Sequence, residues 1–129
     1  HLGEPALEFD AARRYFAEAV ERHRAALQAV ATARASAGDL ITPALEEAFK
    51  RAALLSLETA ERAHQLLVRL ETLRVEAPLD FTAELAAARA LARAAKTSSM
   101  ACLGSKLETL ADPAFLEHIL ERLGTIESE

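Results

Sequence analysis

The 129 residues amount to one domain, long enough to bury a single core and too short for two. With 51% hydrophobic and 27% charged residues the chain is globular rather than disordered, and a net charge of −5 with 5% aromatics provides neither the basic field nor the stacking platforms that nucleic acid requires. A single cysteine excludes an intrachain disulfide framework, and no apolar run reaches the roughly 20 residues of a membrane span, so a membrane is not expected as a partner and a reducing, cytoplasmic location is.

Roughly a quarter of the chain is alanine, the strongest helix former, which predicts an all-α protein. The sequence begins at His1 rather than Met, which suggests a processed, trimmed or tagged chain, although nothing resembles a signal peptide. A first helix is expected from about Pro5 to Ala37. Phe9, Ala12, Phe16, Val20, His23, Leu27 and Val30 recur at steps of three and four and predict its buried face. Gly38 then supplies a left-handed C-terminal cap.

Thr42 and Pro43 read as N-cap and first residue of a second helix, since the hydroxyl can accept an orphan N–H and proline has none to lose. This helix is expected to run to about Glu76. Leu45, Phe49, Ala52, Ser56, Thr59, Ala63, Leu66, Leu70 and Leu73 form a heptad seam, and additional leucines on other faces imply several neighbours. A short connection makes the two long helices an antiparallel pair. Pro78 breaks the chain, Asp80 or Thr82 is expected to cap a third helix beginning at Phe81, and Ala88, Ala92, Ala95, Ser99 and Cys102 give that helix a close-packing face in which Cys102 is a buried small hydrophobe. Asp112-Pro113 starts a short fourth helix that ends at Gly124. The expected architecture is one antiparallel helical bundle over residues 1–129, with two long helices, a third, and a short C-terminal one. Exposed leucines on the long helices favour a homodimer.

Chemistry-bearing residues are sparse. Glu61-Arg-Ala-His64 has the spacing by which one helix offers a carboxylate and an imidazole to a metal, but there is no second copy, so a charged surface is the expectation and no metal site is assigned. His23 on an apolar face reads as a hydrogen-bonded core or interface residue. Arg89, Arg93 and Lys96 form a basic strip suited either to a ligand carboxylate or to an acidic flank of another helix.

"RAALLSLETAERAHQLL", a proline-containing break, an alanine-rich helix and "CLGSKLETLADPAFL" together resemble the cyclodeaminase/cyclohydrolase family, the helical domain of formiminotransferase-cyclodeaminase, over residues 44 to 123. The resemblance implies an all-helical homodimer that handles a tetrahydrofolate derivative as substrate and needs no cofactor. Aligned at the helix exit, Glu84 stands at the family's Asp, Cys102 at its first Asn and Lys106 at its second, and the Gly-rich opening of the family is missing. On this reading Glu84 is the acid/base, while Lys106, Cys102, Arg89 and Arg93 hold a folate-like anionic ligand. Cys and Lys cannot offer a pterin edge the paired donor and acceptor of an amide. Either the site is rebuilt around Glu84 and Lys106 or the fold is kept without the chemistry. The alternative is a non-enzymatic helical-bundle protein that acts through homodimerisation or partner binding.

Overall fold

The computed structural model describes residues 3–38, 40–76 and 78–127. Four helices follow one another: α1 (Gly3–Ala37), α2 (Pro43–Glu76), α3 (Thr82–Leu107) and α4 (Pro113–Glu127), with a 3₁₀ turn at Leu79–Phe81 ahead of α3. Among the described residues there is no strand, and the fold is an all-α helical bundle.

The helix ends obey local chemistry. Gly38 adopts φ +65° and donates its N–H to the Arg34 carbonyl, closing α1 in the conformation that glycine enters without strain. The Thr42 hydroxyl accepts the Leu45 N–H at 3.2 Å, and Asp112 accepts those of Ala114 and Phe115 at 3.1 and 3.2 Å. Two expectations are corrected. Neither Asp80 nor Thr82 caps α3: Phe81 holds the N-cap position without a side-chain bond, and the Thr82 hydroxyl donates back to the Leu79 carbonyl at 2.8 Å. Helix α4 also continues through Gly124, whose backbone has open space around it and so makes no demand for a turn there.

Helix α2 is the hub, packing against α1, α3 and α4, while α1 and α3 scarcely touch. Cross-helix contacts give the directions. Arg69 meets Glu8 and His23 meets Thr59, so α1 runs antiparallel to α2; His64 meets Lys96 and Ser56 meets Lys106, so α3 does too. Lys50 pairs with Asp112 at 2.7 Å and Glu61 with Arg122 at 2.6 and 3.0 Å, which sets α4 parallel to α2. The core lies where α2, α3 and α4 meet, around the fully buried Ala53, Leu57, Leu103 and Ile119. A second cluster joins α1 to α2 through Ala26, Val30, Leu45 and Ala52.

The face of α1 that meets α2 is not the one its large apolar residues predict. Tyr15, Ala19, Ala26 and Val30 are buried, whereas Val20 is 73% and Leu27 58% exposed. The helix is rolled so that small side chains face α2 and the larger stripe points sideways. Leu54 and Val68 of α2 are likewise exposed.

Truncating Leu103, fully buried among α2, α3 and α4, should leave a cavity, and Leu103→Ala is expected to cost about 3 kcal/mol in chemical denaturation. A matched Leu91→Ala variant, changed at a 73% exposed side chain, should unfold within about 0.5 kcal/mol of wild type under conditions where the chain is monomeric.

Candidate functional site

Because α1 and α3 both pack on α2 and meet each other only near Phe9, a groove opens between them. One end is apolar: Phe9 and Phe16 from α1, Leu66 and Leu70 from α2, and Leu91 and Ala95 from α3 line a cavity of about 600 Å³. Toward the other end α2 offers Ser56 and Thr59, both buried, and the neighbouring helices answer with polar groups.

Thr59 is the centre of that polar stretch. Its hydroxyl donates to the Leu55 carbonyl at 2.9 Å, as threonines within helices often do, so its oxygen accepts from its neighbours. Nε2 of His23 lies 3.0 Å away and the Tyr15 hydroxyl 3.4 Å. This network assigns the Nε2–H tautomer to His23 and leaves Nδ1 as a free acceptor. Burial holds the His23 pKa below its ordinary value, and the Lys106 cation across the groove lowers it further. Lys106 donates to the Ser56 hydroxyl at 3.4 Å and to the Cys102 carbonyl at 3.3 Å. Arg62 stacks over the Tyr15 ring with its guanidinium carbon 4.8 Å from the centroid, and burial raises the Tyr15 pKa. In the resulting patch of neutral His, hydroxyls and one ammonium, the Lys106 ammonium and the Ser56 hydroxyl are the groups that can receive a carboxylate.

The sequence-derived candidates are scattered by this geometry. Lys106 reaches the patch. Cys102 lies one turn before it on α3 and is exposed, which corrects its expected burial. Glu84 is exposed in the first turn of α3, whereas Lys106 is in the last, so about 33 Å of helix separates them and they do not converge within one chain. Arg89 is drawn to the flank facing α2, where it pairs with Glu71, leaving its buried Nε without a partner. Arg93 is exposed on the same flank, away from Lys106. The basic strip therefore does not form one ligand cradle: Lys96 is buried, with Nζ 3.2 Å from Nδ1 of His64.

The same pairing occupies the Glu-x-x-His spacing, since Arg122 of α4 holds Glu61 in a bidentate bridge. No group of three or more metal-ligating side chains occurs among the described residues. Glu61, read as part of a solvated face, is instead a half-buried link between α2 and α4. Tyr15, Ser56 and Thr59 were not singled out from the sequence as functional. The signal for two of them was present, because Ser56 and Thr59 interrupt an otherwise apolar heptad seam.

No helix among the described residues is long and apolar enough to cross a membrane. No family model matches the chain, and comparison with curated proteins and with solved structures finds no similar one.

The depressed pKa of His23 has a directional consequence. At a pH between the ordinary histidine value of about 6.5 and the lower folded value, the unfolded chain binds more protons than the folded one, so stability rises with pH through that window. Urea titrations from pH 7.5 down to 5 should show a progressive loss of stability that is smaller in His23→Gln. Replacing Lys106 by Met should bring the His23 pKa, followed by NMR, back toward its ordinary value.

Proposed function

We propose that this chain is a non-enzymatic helical-bundle protein that works by self-association, using the groove between α1 and α3. One observation carries the reading: two helices that share α2 as a neighbour leave an apolar opening between themselves, lined by Phe9, Phe16 and the 73% exposed Leu91, and Val20 and Leu27, also more than half exposed, continue the α1 stripe at helical spacing. A bundle with α2, α1 and α3 at three corners lacks a helix at the fourth, and filling that corner would bury these residues. The catalytic reading is weaker because its acid/base, Glu84, and its anion contact, Lys106, sit at opposite ends of α3.

A second reading keeps the ligand without the chemistry. Lys106, with the Ser56 hydroxyl beside it, offers a cation and one hydroxyl to the carboxylate of a folate-like molecule whose rings would lie along the apolar part of the groove. Within this reading Glu84 can act only on a ligand held by another copy.

Light scattering behind size exclusion should give a mass near twice 13.9 kDa at micromolar concentration, falling toward 13.9 kDa on dilution. A mass of one chain at every concentration rejects self-association. For the second reading, a tetrahydrofolate derivative present at about 100 times its Kd should stabilise the fold by about 2.7 kcal/mol, with the effect lost in Lys106→Met. Absence of any thermal shift at millimolar ligand rejects it.

A further inference from the structure

The self-association reading leaves open which surface meets which, and α3 supplies an answer. On the side facing the open corner it places Glu84, Ala88, Leu91, Ala95, Ser98 and Cys102 at alternating steps of four and three, with Lys106 one turn further on. Glu84, Leu91, Ser98 and Cys102 are exposed. The seam carries an acid at one end and a base at the other. Neither Glu84 nor Lys106 enters an ion pair with another described residue, and the bonds of Lys106 to a hydroxyl and a carbonyl, at 3.4 and 3.3 Å, are long.

A surface with opposite charges at its two ends is complementary to itself when turned end for end. We propose that two copies associate about a two-fold axis with α3 antiparallel to α3, Glu84 of each copy pairing with Lys106 of the other, and each α3 filling the open corner of its partner.

The register follows from the spacing. With Ala95 on the axis, Glu84 falls opposite Lys106 of the second copy, Ala88 opposite Cys102, and Leu91 opposite the small Ser98 and Ser99. Alanine meets alanine at the centre, so the axes can approach to the short end of the usual 8 to 10 Å range. Exposed residues outside the seam are also covered. Leu91 of the second copy comes level with Phe16 and Val20 on α1, and Phe81 of the second copy, exposed ahead of α3, comes toward Leu27. A parallel pairing would instead set Glu84 beside Glu84 and Lys106 beside Lys106. This self-complementarity selects a second copy over an unrelated helix as the occupant.

Sedimentation equilibrium of the full chain, with its fold checked by circular dichroism, tests the surface. Glu84→Lys and Lys106→Glu should each weaken the dimer by about tenfold or more, because each variant loses two symmetric attractions and gains two repulsions. The double variant E84K/K106E should recover to within a few-fold of wild type. Independently, Ala95→Cys in a Cys102→Ser background should cross-link into a covalent dimer on mild oxidation, since the two copies of that position meet on the axis. A wild-type dimer that ignores both single charge reversals, or that gives no cross-link through position 95, overturns the α3 pairing while self-association stands. A wild-type chain that is monomeric throughout overturns both.

Discussion

The close approach of two helices to one side of α2 is the constraint on which the rest depends. Ala53, Ser56, Ala60 and Ala63 are fully buried and Ala52 nearly so, and small side chains of this kind let α3, on the Ala53 side, and α1, on the Ala52 side, settle near the α2 backbone. Large residues there would have pushed the helices outward. With them close, long side chains on α3 have nowhere to go but along the interface, and their charged ends find partners on α2. Arg89 reaches Glu71, Lys96 reaches His64 and Lys106 reaches Ser56, in steps down the antiparallel pair. The two helices themselves scarcely touch, meeting only near Phe9, which packs against the cluster of Leu67, Leu70 and Ala92.

Electrostatics then divide the groove. Burial and, secondarily, the Lys106 cation disfavour a charge on His23, and the imidazole responds by favouring its neutral form. A neutral ring can bond to the Thr59 oxygen through Nε2–H without bringing a second charge inside, and the hydroxyl network of Tyr15 and Thr59 is completed at the same time. The Lys106 ammonium is thus the uncompensated charge of this end of the groove. An incoming carboxylate, whether from a ligand or from a second chain, would meet a cation already held in place by Ser56 and the Cys102 carbonyl.

Much of the scaffold was legible in the sequence because proline, glycine and capping residues act locally. Thr42-Pro43, Gly38 and Asp112-Pro113 mark their helix ends through backbone bonds that depend on a few neighbouring atoms. Thr82 misled because its hydroxyl had an equally near acceptor in the Leu79 carbonyl. What the sequence concealed was rotation. In an alanine-rich helix the residues that pack most tightly are the least hydrophobic, so Tyr15, Ala19 and Ala26 bury while Val20 and Leu27 do not. For the same reason Cys102 looked like core but lies on the flank of α3 rather than beneath it. The candidate site residues are a different case: once Glu84 and Lys106 are placed on one helix, their spacing of 22 residues already implies about 33 Å of separation, so their failure to converge was legible in the spacing.

That failure of the apolar stripe carries information of its own. Phe9, Phe16, Val20 and Leu27 keep helical spacing over about half the length of α1, which isolated surface hydrophobes would not do. A periodic stripe marks a surface that meets another helix. Helix α2 meets the neighbouring small-residue face of α1 instead, and α3 reaches the stripe only at the Phe9 and Phe16 end, across the apolar groove. Of the expected stripe, Val30 and His23 do meet α2, while Val20 and Leu27 lie exposed beside it. On the proposed two-fold pairing the helix that meets the stripe is the α3 of a second copy, running antiparallel to α1, and it is the only arrangement of the seam that also brings Glu84 to Lys106. The residues that the sequence set side by side as one site are then joined across two chains, and the long separation within one chain becomes the spacing that lets them meet.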